Sequence, residues 1–125
     1  MSLTQKILII DGHPVYAKKT EAFLKGLTFS DITIAPGASE GLKEFENALA
    51  DLVVLSSMLP DGDSHEVCRT LRSLAGPSLG IVVQAGLIDQ EQIQQFSLDG
   101  ASRVLLRKEK DLAPLQQAVE ELLFS

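Results

Sequence analysis

Four unbroken apolar runs constrain this chain more than any other feature: Lys6-Ile-Leu-Ile-Ile10, Asp51-Leu-Val-Val-Leu55, Leu79-Gly-Ile-Val-Val83 and Arg103-Val-Leu-Leu106. Each is too short for a helix and lacks the alternation of a strand with one wet face, so each reads as a strand covered on both sides. A fifth run, Asp31-Ile-Thr-Ile-Ala35, alternates apolar and polar residues and reads as an edge strand.

Helical spacing fills the gaps. Pro14 stands where a helix opens, and Tyr16, Thr20, Phe23, Leu24 and Leu27 recur on one face, with Gly26 near the end. Ser39 is the expected cap of a second helix whose buried stripe is Leu42, Phe45 and Leu49. Val67, Leu71 and Leu74 mark a third, closed by Gly76-Pro77. Asp89 with Gln92 forms a capping-box pattern for a fourth, lightly held by Ile93 and Phe96. A fifth runs from a cap at Asp111 through Leu112, Leu115, Val119 and Leu122, with Pro114 tolerated in its first turn. Strand and helix alternating five times imply right-handed crossovers and a parallel α/β sheet with helices on both faces. Ligands in such sheets sit at the carboxyl ends of the strands. That directs attention to Asp11-Gly12, Ser56-Ser57, Gln84-Ala85 and Arg107-Lys108.

With 125 residues and no linker or repeat, residues 1–125 read as a single domain. A formal charge of −6 argues against gripping nucleic acid or an anionic membrane directly, and leaves open a carboxylate metal site. The apolar runs are far shorter than the roughly 20 residues of a membrane span. Met1 to Thr4 lacks the pattern of a signal peptide. A lone cysteine, Cys68, fits the reducing cytoplasm.

At the strand ends the chain resembles a response-regulator receiver domain, the module that accepts a phosphoryl group from a sensor histidine kinase in two-component signalling. The resemblance rests on Ile7-Leu-Ile-Ile-Asp-Gly-His-Pro14, Asp51-Leu-Val-Val-Leu-Ser-Ser-Met-Leu-Pro-Asp-Gly62, Ile81-Val-Val83 and Asp99-Gly-Ala-Ser-Arg-Val-Leu-Leu-Arg107. The His13-Pro14 pair and the lack of proline after Lys108 are most similar to receivers of helix-turn-helix transcription factors. The resemblance implies a flavodoxin-like (CheY-like) five-stranded parallel sheet of order 2-1-3-4-5.

It also implies an active centre that this chain departs from. Carried over by position, the family's acidic pair becomes Asp11 and Gly12, its phosphoacceptor aspartate Ser56, its Thr or Ser residue Ala85 and its lysine Arg107. The aromatic switch position becomes Val104. Mg²⁺ takes about six oxygens, usually with one or two carboxylates, so weak or absent Mg²⁺ binding and no other cofactor are expected. Two arrangements are open for the arginine: Arg107 pairs with Asp11, or it reaches solvent while Lys108 turns inward.

The expected function is therefore a pseudo-receiver: a phosphorylation-independent interaction or dimerisation module, not an enzyme, within a transcription regulator. Its partner is another protein or a second copy, and DNA is reached only through a separate domain outside this chain. One alternative is a receiver switched by a small anion or metabolite, with room made by Gly12 and Ala85 and charge from Arg107. Another is a hydrolase or transferase using Ser56 with Asp11, which requires a base about 3 Å from the hydroxyl.

Phe96, Val104 and Leu106 read as core or as a partner surface beside the last helix. Cys68 is expected as a small buried hydrophobe. Asp61 reads as a turn residue and Asp63 as a helix cap. A metal shared by His13, His65 and Asp11 lacks any ligand-spacing motif. Lys18-Lys19 and Arg107-Lys108-Glu109-Lys110 read as solvated charge.

Overall fold

The computed structural model describes residues 3–107 and 112–124. Strand and helix alternate as the apolar pattern requires: β1 (Leu3–Ile10), α1 (Pro14–Gly26), β2 (Phe29–Ala35), α2 (Ala38–Asn47), β3 (Leu52–Ser56), α3 (Ser64–Ala75), β4 (Gly80–Ala85), α4 (Gln90–Leu98), β5 (Arg103–Leu106) and α5 (Ala113–Phe124). The strands form one sheet in the order β2-β1-β3-β4-β5, every neighbouring pair parallel.

The unbroken apolar runs have a direct cause. Ile7, Ile9, Leu52, Val54 and Val82 pack under α1 and α5, against Leu24, Leu115 and Val119. Residues of the other parity, Leu8, Ile10, Val53, Leu55, Ile81 and Val83, pack under α2, α3 and α4, against Phe45, Val67, Cys68, Leu71 and Phe96. Both faces are dry along Ile7–Ile10 of β1 and along β3 and β4, so no polar alternation survives there. The fifth strand departs from that pattern: as the sheet's other edge, β5 has Arg103 and Leu106 exposed and its middle only half-buried.

Local signals set several boundaries. Pro14 occupies the first turn of α1, where its missing N–H costs nothing, and His13 Nδ1 accepts a long 3.5 Å bond from Tyr16 N. Asp63 caps α3 through His65 N at 2.8 Å, and Asp89 caps α4 through Gln92 N at 2.8 Å. Gly76, with φ 78°, closes α3 in the left-handed region open to glycine.

Three expectations are corrected. Ser39 does not cap α2, which begins at Ala38. Its cap comes from another loop: the Asp61 carboxylate accepts from Ala38 N at 2.7 Å and from Ser39 N at 3.1 Å. These bonds hold the Asp61 carboxyl below its ordinary pKa. The residue before α2 is Gly37 because a Cβ there would fall 2.5 Å from Asp61 Oδ1. Leu49 lies past the end of α2 and is exposed, since the chain turns extended at Ala48. Leu74 is half-exposed in the last turn of α3. There Arg72 makes the tie, donating to Gly76 O and Leu79 O at 2.7 Å each and to Gly100 O at 2.6 Å. The cap expected from Asp111 and the charged run at 108–110 lie outside the described residues.

Candidate functional site

The parallel register brings the ends of β1, β3 and β4 to one edge. Ile10 pairs with Leu55, and Ser56 pairs with Gln84, so Asp11, Ser56 and Gln84 stand side by side. All three are buried. Arg107 follows β5 directly, its N–H bonded to Ala85 O at 2.6 Å.

The open choice for the arginine is decided here. Arg107 Nη2 donates to Asp11 Oδ2 at 2.8 Å, with side-chain exposures of 13% and 3% respectively. Asp11 Oδ1 accepts from His13 N at 2.9 Å, so both carboxylate oxygens are engaged. The same Arg107 nitrogen reaches Gln84 Oε1 at 3.3 Å, and Thr20 Oγ1 lies 3.4 Å from that oxygen. The guanidinium also lies 4.2 Å from the centre of the Tyr16 ring, within cation–π range. Charge pairing, hydrogen bonding and stacking thus hold Arg107 inward.

Ser56 is tied into its own loop. Its hydroxyl donates to Met58 O at 3.0 Å and accepts from Met58 N at 3.3 Å. Gly12 has a steric cause: a Cβ there would lie 2.7 Å from Pro60 Cδ and 2.8 Å from Pro36 O. The space that a side chain at 12 would need is thus filled by the chain itself. Ala85 is completely buried in β4. Of the two residues expected to make room at the edge, Gly12 lines the cavity there and Ala85 does not. That cavity, of about 690 Å³, is walled by the loops after β1, β3 and β4, with Gly12, Tyr16, Met58, Pro60 and Leu87 among its lining residues.

A second polar cluster, not foreseen from the sequence, joins α3 to the end of α4. Buried Asp99 accepts from Arg69 Nη1 and Gln95 Nε2, each at 3.0 Å, and its Oδ2 lies 2.8 Å from His65 Nδ1. Burial works against the Asp99 charge, but the bonds from Arg69, His65 and Gln95 together hold its carboxyl below the usual range. His65 stacks on Phe96 with ring centres 3.7 Å apart. His65 is thus committed to Asp99 and His13 to the start of α1. Among the described residues no group of three or more His, Cys, Asp or Glu side chains could hold a metal ion.

The suggested partner surface separates into three environments. Phe96 is core, 1% exposed. Val104 is half-buried against that core, and Leu106 is half-exposed. Cys68 is fully buried, and burial followed by the Asp99 charge pushes its thiol up to about 11, against the opposing charges of Arg72 and Arg69.

The sequence profile of the response regulator receiver domain matches residues 7–120. The chain belongs to the response regulator receiver domain family. The receiver is 32% identical over 89 residues to the DNA-binding response regulator MtrA of Mycolicibacterium smegmatis, a match covering 70% of this chain and 39% of MtrA. It is 36% identical over 70 residues to the alkaline phosphatase synthesis transcriptional regulatory protein PhoP of Bacillus subtilis, covering 56% of this chain and 29% of PhoP. The match thus spans well under half the length of these curated relatives. Among solved structures, a two-component response regulator from Clostridium difficile superposes with a TM-score of 0.88 at 27% identity, covering 96% of each chain. A CheY-like receiver domain from Methanospirillum hungatei superposes with a TM-score of 0.86 at 23% identity, covering 96% of this chain and 94% of that one, which speaks to the fold alone. This receiver is accordingly a signal-transduction module of the two-component type. Among the described residues no helix is long and apolar enough to cross a membrane.

Proposed function

We propose that this receiver signals without phosphoryl transfer, as a protein-interaction or dimerisation module of a cytoplasmic transcription regulator whose DNA-binding part lies outside this chain. The observation that carries the reading is the closed pair at the sheet edge. Asp11, the carboxylate at the end of β1, gives one oxygen to Arg107 at 2.8 Å and the other to His13 N. A divalent cation would have to take Asp11 from a guanidinium that is itself nearly buried.

The donor set does not fit Mg²⁺. Octahedral Mg²⁺ takes about six oxygens, usually anchored by one or two carboxylates. Here the neighbouring position is Gly12, and the end of β3 offers a neutral hydroxyl already engaged with Met58. Ser56 is also a poor nucleophile, because its hydroxyl donates to a backbone carbonyl rather than to a base that could accept its proton. The reading of Ser56 as the centre of a hydrolase or transferase is left without support. Partner choice then falls to the surface, with the kinase-dependent step absent.

The test is incubation with acetyl phosphate and, separately, with beryllium fluoride, each with Mg²⁺, followed by intact-mass spectrometry and ¹H–¹⁵N NMR. Unchanged mass and unshifted resonances for Asp11, Ser56 and Arg107 are expected. A stoichiometric acid-stable, base-labile phosphoryl adduct, or a saturable Mg²⁺-dependent shift at those residues, overturns the proposal.

A further inference from the structure

We infer that the cavity at the carboxyl edge of the sheet is a binding site for a small, uncharged, mainly apolar molecule carrying a hydrogen-bonding group. The inference rests on the reading above, in which no metal or phosphoryl group occupies this edge. Its volume, about 690 Å³, falls within the roughly 300–1,000 Å³ of small-molecule sites. Met58, Leu59, Pro60 and Leu87 give it apolar surface, and Asp11, His13, Ser56, Ser57, Gln84 and Arg107 give it polar groups.

The walls carry the first part of the argument. Met58 is 81% exposed and Leu87 is 99% exposed. A single exposed apolar side chain needs no explanation. These two, however, rise from different loops, after β3 and after β4, and border the same cavity together with Pro60 and Tyr16. Apolar groups converging on one concavity from separate loops are what an apolar ligand buries.

The base decides the charge of the ligand. Among the described residues Arg107 is the arginine or lysine that lines the cavity, and Asp11 already pairs with it at 2.8 Å. An incoming anion would meet the Asp11 carboxylate beside Arg107, and an incoming cation would meet the guanidinium beside Asp11. Neither gains an unpaired counter-charge, and either loses its hydration on entering. A neutral molecule avoids both costs. Ser56 keeps acceptor capacity beyond its two bonds to Met58, because a hydroxyl has one donor and two acceptor lone pairs. Of the small anion or metabolite expected at this edge, the pairing of Arg107 with Asp11 favours a neutral molecule.

The probe for the test is N-phenyl-1-naphthylamine, a neutral, apolar fluorophore with one N–H. Titration into the protein should give saturable one-to-one enhancement, with ¹H–¹⁵N shifts confined to Tyr16, Ser56, Met58, Leu87 and Arg107. Leu87→Asp and Met58→Glu lie on exposed positions that the core does not need, so each should fold normally and weaken the probe about ten-fold. Millimolar inorganic phosphate should not compete.

Absence of saturable binding, an affinity in both variants unchanged from the unmodified protein, or displacement by phosphate each overturns the inference. Concentration-dependent self-association that Leu87→Asp abolishes, without probe saturation, also overturns it and assigns the surface to a second copy. A Mg²⁺-dependent beryllium fluoride response in the same spectra defeats the reading on which the inference rests. Probe failure without that response defeats only the ligand.

Discussion

At the residue scale, single side chains here act through the neighbours they oblige. Asp11 and Arg107 lie 2.8 Å apart and almost out of water, so removing one strands the other. Asp11→Ala should cost about 3 kcal/mol in urea unfolding, the lower end for a broken buried pair, because Arg107 keeps Gln84 and Tyr16. The double variant Asp11→Ala with Arg107→Met should be more stable than the single one, since no unpaired charge is left. A double variant weaker than the single one would show that the arginine stabilises the fold independently. Gly12 obeys the same logic through space. Gly12→Asp forces a Cβ to within 2.7 Å of Pro60 and 2.8 Å of Pro36 O, and should cost about 2 kcal/mol by overpacking. Adding Pro60→Ala removes the first clash but not the second, so thermal unfolding should show partial recovery only. Rebuilding a metal-binding acid pair therefore requires moving a loop as well as exchanging side chains.

At the element scale, α4 is the lightly held helix that its sequence suggests, with Phe96 its one fully buried anchor and Ile93 half-buried. Its carboxyl end is fixed by Asp99, which ties it to Arg69 and His65 of α3. Because the folded Asp99 pKa lies below 3.8, the stability that Asp99 contributes is complete above the unfolded value. It is lost as pH falls from about 4 through the lower folded value. NMR resonances of residues 90–99 should therefore lose dispersion on acidification before those of β1 and β3. Asp99→Asn should remove about 1–3 kcal/mol and abolish that selective loss. Simultaneous collapse of helix and sheet in the unmodified protein would refute the assignment. Asp61 plays a similar part for α2 from the β3–α3 loop.

At the scale of the whole molecule, two apolar layers share one sheet, and the only cysteine lies completely buried in the layer under α2, α3 and α4. With its thiol pushed up to about 11, Cys68 is protonated and shielded at pH 8. Labelling by a disulfide reagent should be at least about a thousand-fold slower in native buffer than in urea, the ratio set by a typical domain stability. Its urea midpoint should coincide with that of the circular dichroism signal, as expected of a two-state domain of this size. Rapid labelling in native buffer would show that α3 opens locally.

The layering itself was legible in the sequence, because a strand dry on both faces has no polar alternation to show, and residues 7–10 of β1, β3 and β4 form such unbroken runs. Pro14, Asp63, Gly76 and Asp89 marked helix ends because their effects reach only a few residues along the chain. Asp61 as the cap of α2, the bond from Arg72 to Gly100 and Asp99 as the anchor of α4 to α3 were illegible, since each acts across more than 20 residues of sequence. The candidate site divides the same way. Strand periodicity and chain order alone place Asp11, Ser56, Gln84 and Arg107 at the strand ends. The packed fold alone turns Arg107 inward onto Asp11, sets Pro60 and Pro36 in the space beside Gly12, and brings Met58 and Leu87 to one cavity. Those outcomes depend on side-chain direction and on loops meeting in space, which periodicity along a chain does not encode.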